Sequence, residues 1–213
     1  MLYWAMLIVP SGTIRREIMV LHSRFVATLA PVDSVEEARA FIQEVRKEFH
    51  DASHHVPAFV IGGGNTLTEY CSDDGEPSGT AGRPVLAVLK GSGLGNIVVV
   101  VSRYFGGTLL GTGGLVKAYS EAAKVVVHAT GRAALVPALR TGILLPYPLY
   151  EKAKQAIEDA GGIILREKFA EAVTIEAEIP EEDWASFSAR LASLGAGSIP
   201  LEMLAKVMIK RPL

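Results

Sequence analysis

The chain of 213 residues is poor in the features that mark several classes of protein. Its single cysteine, Cys71, excludes an internal disulfide framework and a zinc cluster built from thiolates, and is compatible with a reducing compartment. Basic and acidic side chains nearly cancel, leaving a formal charge of -2. The whole molecule is therefore not attracted to a polyanion, and any binding of nucleic acid requires a local basic patch.

Long hydrophobic runs are also missing. The apolar start, residues 1–10, has no basic residues before it and runs into Arg15, Arg16 and Glu17. It is far shorter than the roughly 20 residues that a membrane-spanning helix requires. We interpret it as a first strand or a ragged leader, and we expect a cytoplasmic protein that does not bind membranes.

What is present is the composition of a globular protein, at a length that suits two domains. In the first, residues 1–133, Ser34 and Glu37 form a capping box at the start of a helix. The apolar run 97–101 is typical of a strand buried on both faces. The elements predicted for this domain are strands at 18–32, 56–61, 67–71 and 97–101, a turn at 62–65, and helices at 34–49, 83–91 and 115–129.

The second predicted domain, residues 138–213, follows a connection at 130–138 that carries the breakers Gly131 and Pro137. Its pattern alternates strands and helices in the order βαββαβ, which is that of a ferredoxin-like fold. The predicted strands are 139–145, 163–168, 172–179 and 198–209, and the helices are 148–160 and 181–194. The sequence thus predicts an α/β (α+β) protein of two units.

Three carboxylates, Asp73, Asp74 and Glu76, stand within four positions in the glycine-rich segment 72–82. They can hold a divalent cation, or one can act as a base if the others raise its pKa. The structural alternative is a solvated acidic turn. Neither the spacing of an EF-hand nor a histidine–carboxylate triad is present, so we predict no metal.

Arg103, Tyr104 and Phe105 directly follow the predicted buried strand, where open α/β sheets often bind ligands. Arg103 can bind a phosphate or carboxylate through two parallel hydrogen bonds, and the ring of Tyr104 or Phe105 can stack on a base. Alternatively, Phe105 packs inward and Arg103 pairs with Asp73 or Asp74.

A glycine-rich segment, 106–114, leads into the helix at 115–129. Free backbone amides at a helix start attract anions, and Lys117 is placed to reach an anion held there. The spacing is neither that of a P-loop nor that of a Rossmann fingerprint. No nucleophile stands beside a base in a recognisable catalytic pattern, so we predict no catalytic residue and no cofactor.

Four stretches together resemble the Impact/YigZ family over roughly residues 20–128. They are Ser23-Arg24-Phe25, His54, the motif at 72–84 that ends in Arg83-Pro84, and the motif at 103–119 that ends in Lys117-Ala118-Tyr119. The second domain resembles the C-terminal extension of bacterial members. Two departures stand out: Val56-Pro57 replaces a stretch that often contains cysteine, and the apolar leader before Ile8 favours a downstream translation start.

The resemblance implies that the first domain adopts the fold of the second domain of ribosomal protein S5. It implies that the second domain resembles the last domain of elongation factor G. That factor carries the two folds in the same order against the ribosome, an analogy of fold that favours a translation-linked role. In eukaryotes the resemblance implies a role of Impact in translation initiation through a further domain that we expect this chain is too short to contain, so that partner does not carry over.

We therefore expect a regulatory protein that binds RNA, the ribosome or a translation factor without catalysis. One alternative is a nucleotide-binding or phosphoryl-transfer enzyme that uses loops 106–114 and 73–76. Another is a protein–protein adaptor. The candidate binding residues are Arg24, His54, Asp73, Asp74, Glu76, Pro77, Gly79, Thr80, Gly82, Arg83, Arg103, Tyr104, Gly106, Gly107, Gly111, Thr112, Gly113, Gly114, Lys117 and Tyr119.

Overall fold

The computed structural model describes residues 7–62 and 67–213. The chain divides into two compact units, of which the first runs to Ala134 and includes Pro212 and Leu213, and the second spans Leu135–Arg211. Most of the leader at 1–10 and most of the turn expected at 62–65 lie outside the described residues.

An antiparallel sheet in the spatial order β2–β3–β6–β4–β5 forms the centre of the first unit. Strand β1 (Leu7–Pro10) precedes this sheet in sequence and is not part of it. The strands of the sheet are β2 (Ile14–Val20), β3 (Ser23–Pro31), β4 (His54–Ile61), β5 (Thr68–Cys71) and β6 (Ile97–Tyr104). The helices are α1 (Val35–Glu48), α2 (Gly82–Gly91) and α3 (Gly111–Ala129). The single strand expected at 18–32 is in fact two, because Leu21 and His22 take positive φ angles in a tight turn between β2 and β3.

The sheet of the first unit is covered on both faces. Val99 and Val101 of β6 belong to the core shared with α2 and α3. Val98 and Val100, which alternate with them, belong to the core shared with α1. The prediction that 97–101 is buried on both faces is confirmed, and α1 lies on the face of the sheet opposite to α2 and α3.

Both ends of the predicted first helix follow from its sequence. The Glu37 amide donates to Ser34 Oγ at 3.1 Å, and the Glu37 carboxylate accepts from the Asp33 amide at 2.8 Å. The first bond satisfies a backbone donor of the first helical turn that has no partner within the helix, and the second holds the residue before the N-cap. The helix ends at Glu48, with Phe49 as its cap.

The third helix begins at Gly111, four positions before the predicted start at 115. The glycines at 113 and 114 therefore form its first turn rather than a loop. The sequence pattern missed this turn because the buried residues of the helix begin only at Leu115.

The second unit has the predicted βαββαβ order, with β7 between β10 and β9, and β8 paired with β9. Helices α4 and α5 share a core with β7 and β9 that includes Ile143, Ile157, Ile175 and Phe187. The elements are β7 (Arg132–Leu145), a short 3-10 turn (Tyr147–Leu149), α4 (Tyr150–Asp159), β8 (Ile163–Phe169), β9 (Val173–Pro180), α5 (Trp184–Leu194) and β10 (Leu201–Pro212). The mixed α/β class is thus confirmed.

The connection expected at 130–138 is mostly strand, because β7 already begins at Arg132. Ala133, Ala134 and Val136 are buried within it. Pro137, which suggested a break, is exposed and leaves the strand continuous.

Candidate functional site

The acidic segment at 72–82 and the loop at 104–114, which contains the glycine-rich segment, meet at one cavity of about 420 Å³. Glu76 and Pro77 line it from the first segment, and Phe105 and Leu109 line it from the second. We call it the loop cavity. His54, Gly111 and Thr112 also line it, so the cavity brings together residues from three of the four stretches that carry the family resemblance, namely His54, 72–84 and 103–119.

Three buried side chains form a hydrogen-bonded cluster in which the first two members line the loop cavity. Arg103 donates to Glu76 Oε1 at 2.6 Å, and the Tyr119 hydroxyl donates to the same oxygen at 2.8 Å. The exposed fractions of Arg103, Glu76 and Tyr119 are 5, 8 and 0%. Arg103 also lies 3.4 Å from Ser23 Oγ.

The structure corrects the expected partner of Arg103. Its carboxylate partner is Glu76 and not Asp73 or Asp74. Gly75, with a φ of +87°, turns the chain so that the next side chain points into the domain, toward Arg103. Sequence proximity suggested three equivalent carboxylates, but the backbone turn decides which one is buried.

Burial and the bond to Glu76 raise the pKa of Tyr119 well above its ordinary value. The phenol therefore keeps its proton and remains a donor to Glu76. The Arg103 cation and the Tyr119 hydroxyl together stabilise a carboxylate that would otherwise be costly to bury.

Asp73 holds the start of α2 in place. Its carboxylate accepts backbone N–H groups from Gly79 at 2.8 Å, Ala81 at 3.0 Å and Gly82 at 2.8 Å. Partial burial opposes the ionised form, but these donors hold the pKa of Asp73 below its ordinary value.

Asp74 connects this loop to β4 and α1. It accepts the backbone N–H of His55 at 2.6 Å and pairs with Arg46. Together with Asp73 and Glu76, it completes a set of three carboxylates that are all occupied by protein donors. The residues at 73, 74 and 76 therefore serve the loop and its buried arginine, which disfavours the magnesium site of the enzyme alternative.

Several of the small residues have structural tasks. The Thr80 hydroxyl donates to the Pro77 carbonyl at 2.6 Å and closes a turn that includes Gly79. A Cβ at Gly82 would lie 2.7 Å from the Ser72 carbonyl, so α2 can approach that loop only with glycine there. By contrast, Gly107 is open to solvent, and so are three candidates at the start of α3, namely Gly111, Thr112 and Gly113, while Gly114 is half-buried.

Tyr104 lies at the end of β6, under the side chain of Arg24. The Arg24 guanidinium lies 4.4 Å from the centre of the Tyr104 ring, and the Tyr104 hydroxyl donates to Asp51 at 2.7 Å. One face of the ring is thus already stacked, and at most the other face is open to a base.

Arg83 and Lys117 do not line the loop cavity. They are exposed on α2 and α3, the two helices that flank a groove of about 740 Å³. Val88 and Val116 line that groove with Lys124, a residue that the sequence reasoning missed. Its position seven residues after Lys117, on the same side of a helix, was the signal that could have identified it.

The described residues also lack two further features. At no place does a group of three or more His, Cys, Asp or Glu side chains form a possible metal site within 7–62 and 67–213. Over the same ranges, each helix is too short or too polar to cross a membrane.

His55 supplies a prediction for the dependence of stability on pH. Desolvation lowers the pKa of this histidine, whose Nδ1 lies 3.0 Å from Ser102 Oγ, and the nearby Asp74 only partly opposes the shift. The unfolded chain then binds more protons, so the free energy of unfolding should fall as pH drops through the unfolded value of about 6.5. The free energy of unfolding should stop falling once the pH is below the pKa of His55 in the folded chain.

Urea unfolding at several pH values between 7.5 and 5 checks this expectation. His55→Gln removes the titrating group, so the variant should lose less stability on acidification than the unmodified protein. Identical pH dependence of the two proteins would contradict the assignment.

Fold and site together define a two-domain α/β protein whose first unit carries a loop cavity above a buried Arg–Glu–Tyr cluster. The family description "Impact N-terminal domain" matches residues 21–127, and "Domain of unknown function (DUF1949)" matches 143–198. The chain is 37% identical to the IMPACT family member YigZ of Escherichia coli (strain K12), over 91% of this chain and 96% of that protein.

Two other relatives agree with this match. IMPACT family member YvyE of Bacillus subtilis (strain 168) is 34% identical, over 85% of this chain and 83% of that protein. A solved structure described as a hypothetical protein is 37% identical, with a TM-score of 0.60, over 93% of this chain and 97% of that one. The chain belongs to the IMPACT family, as the motifs at 72–84 and 103–119 indicated.

Proposed function

We propose that this chain is a translation-linked regulatory protein that binds RNA phosphates with the solvent-facing side of α2 and α3, without catalysis. The observation that carries the proposal is the charge of these helices. Their basic side chains are Arg83, Lys90, Lys117 and Lys124, and their acidic side chain is Glu121. We call this side the basic helix face.

The opposite side of the same unit has no such excess. The acidic side chains of α1 are Glu36, Glu37, Glu44 and Glu48, against the basic Arg39, Arg46 and Lys47. A chain of net charge -2 thus concentrates positive charge on one side. Local patches of this kind, rather than net charge, provide the electrostatic attraction to a nucleic-acid backbone.

Three cations on the basic helix face are available to a phosphate. Arg83, Lys117 and Lys124 are exposed, and none has an ion-pair partner among the described residues. Lys90 instead binds Glu69 at 2.9 Å. The side chain of Leu110, the residue before α3, forms no capping bond, so the first amides of that helix add further donors for an anion.

Arg103 has a different role from direct phosphate contact. With an exposed fraction of 5% and a bond to Glu76, its guanidinium cannot meet a phosphate without leaving its buried partner uncompensated. Arg103 therefore stabilises the loops at 72–82 and 104–114 and does not contact the ligand directly.

The link to translation rests on the family. The resemblance implies a role in translational control like that of eukaryotic Impact, and an order of the two folds like that in elongation factor G. The enzyme alternative is less well supported, because Asp73, Asp74 and Glu76 are all occupied by protein donors. A thermal-shift screen with nucleotides and magnesium tests that alternative, and stabilisation there would favour it.

Replacing Lys117 and Lys124 together with alanine should weaken binding to structured RNA roughly tenfold at low salt and reduce the salt slope by about one per lysine. Fluorescence anisotropy with a labelled RNA hairpin measures both quantities. The matched control is Arg39→Ala with Lys47→Ala on α1, which removes the same charge from the opposite side and should change binding little.

Equal losses in the two double variants would show that total charge, rather than the basic helix face, decides binding. Capture of a protein partner that survives nuclease treatment, with no RNA binding by the unmodified chain, would favour the adaptor alternative.

A further inference from the structure

The groove between α2 and α3 has a chemical character that the proposed RNA contact does not use. We call it the helix groove, and its volume is about 740 Å³. Val88 and Val116 line it from the two helices, and Lys124 and Arg132 line it with positive charge. Within the described residues, Asp and Glu side chains do not line this groove. Its described lining therefore combines cationic groups with carbon surface and holds no counter-charge.

The two cations of the helix groove are uncompensated. Lys124 and Arg132 are exposed, and neither has an ion-pair partner in the part of the chain that the structure describes. Glu121, the acidic residue of α3, lines a neighbouring cavity and not this groove. Arg132 Nη2 lies 3.4 Å from the carbonyl oxygen of Ser92, so most of the guanidinium donors are not used there. Charge complementarity therefore favours an anion, and a carboxylate can accept two parallel bonds from the guanidinium.

The carbon surface of the helix groove is aliphatic. Pro84, Ala87 and Val88 contribute it from α2, and Val116 and Val127 contribute it from α3. The described lining includes no Phe, Tyr or Trp ring on which a nucleobase could stack. Sites for small molecules combine hydrophobic walls with a few polar groups, and the volume of this groove lies within their usual range of roughly 300 to 1,000 Å³. The groove therefore suits a hydrocarbon chain rather than an aromatic ring.

The charged and apolar parts of the groove are separated along the helices. Arg132 follows the end of α3, and its contact with Ser92 places the end of α2 beside it. Val116 stands two helical turns before Lys124, which is about 12 Å along the helix at 1.5 Å per residue. A straight chain of eight carbons can lie within that length while its carboxylate reaches the two cations.

We propose that the helix groove binds carboxylates that carry a straight hydrocarbon chain of medium length. The carboxylate accepts from Arg132 and Lys124, and the hydrocarbon lies along Val88 and Val116. This site goes beyond the RNA contact, because RNA has no hydrocarbon chain and Arg132 does not belong to the basic helix face. Lys124 is shared by the two sites. Titrations of the carboxylate contain no RNA, so failure of this binding and failure of RNA binding are observed separately.

Octanoate is a suitable probe at concentrations at which it is monomeric, so that a free carboxylate and not a lipid surface is tested. Octylamine carries the opposite charge on the same chain, and acetate carries the same head group without the chain. Titration of the full isotope-labelled chain at pH 7.5, followed by amide NMR shifts, reports both affinity and location. Octanoate should shift the amides of Ala87, Val88, Ser120 and Lys124. Octylamine and acetate should each bind there at least about threefold more weakly, for loss of the ion pair and of the apolar contact respectively.

Arg132→Gln removes one cation of the groove and should weaken octanoate binding about threefold. The matched control is Arg39→Gln, which removes an exposed arginine from α1 and should leave octanoate affinity unchanged. Both substitutions keep a polar side chain of similar length, so the comparison isolates the position of the charge.

Gly91 allows a second test that removes no native side chain. It lines the groove, and a Cβ there would meet nothing within 4 Å, so a longer side chain has room. Gly91→Glu adds a carboxylate that competes for the cations, whereas Gly91→Gln adds a neutral side chain of the same shape. Octanoate should bind about threefold more weakly to the glutamate variant than to the glutamine variant.

Any of four results would overturn the proposal. They are the absence of groove shifts with octanoate at millimolar concentration, binding of octylamine or acetate at least as tight as that of octanoate, equal octanoate affinity in the Arg132→Gln and Arg39→Gln proteins, and equal octanoate affinity in the two Gly91 variants.

Discussion

Arg103→Ala should lower the free energy of unfolding by about 3 to 5 kcal/mol, because it leaves the Glu76 carboxylate buried without its cation. Arg103 and Glu76 are 5 and 8% exposed, and 2.6 Å separates the bonded atoms. Urea unfolding followed by circular dichroism measures the change.

Two further variants test whether the unpaired Glu76 carboxylate causes the loss of stability in Arg103→Ala. Arg83→Ala removes the same type of side chain from an exposed position and should change stability by less than about 0.5 kcal/mol. Arg103→Met combined with Glu76→Leu removes both charges and should recover much of the loss. If Arg103→Ala is as stable as Arg83→Ala, the cluster does not hold the loops.

Gly106→Ala should also be strongly destabilising, by roughly 3 kcal/mol or more, because the new methyl group has no room. A Cβ at this position would lie 2.1 Å from the carbonyl carbon and oxygen of His22 and 2.5 Å from the Ser23 nitrogen. These are backbone atoms of the turn before β3 and of its first residue, so the clash cannot be relieved by rotating a side chain.

Gly113→Ala is the control within the same glycine-rich segment. It lies in the first turn of α3, and a Cβ there would meet nothing within 4 Å. Alanine in an open helical position should stabilise the protein by about 0.5 to 1 kcal/mol. Similar effects of the two substitutions in thermal unfolding would show that the close approach at Gly106 is not a constraint.

Local signals predicted the parts of the fold that depend on local rules. The capping box at Ser34 placed the start of α1, and the unbroken apolar run at 97–101 identified a strand covered on both sides. The order βαββαβ followed from alternating periodicities. The start of α3 was missed because its first turn is rich in glycine, which is typical of a loop. The extent of β7 was missed because Pro137 suggested a break, and the burial of its neighbours is visible only in the tertiary structure.

The candidate site was predicted less completely. The motifs identified Glu76, Arg103 and Tyr119 as candidate residues. They did not predict that Arg103 and Tyr119 both bond to Glu76. Which carboxylate meets Arg103 depends on the positive φ angles of Asp74 and Gly75, and a sequence does not reveal these directly. Lys124 lies beyond the motif at 103–119, so the motif does not include it, although it stands two helical turns after Lys117 on the same helix.

The measurement that tests the central claim most directly is the affinity of the unmodified chain for structured RNA across a salt series. With Arg83, Lys117 and Lys124 each neutralising one phosphate, the logarithm of the association constant should fall with the logarithm of salt concentration with a slope of about −2 to −3. An absence of binding at low salt, or binding that does not change with salt, would contradict the account.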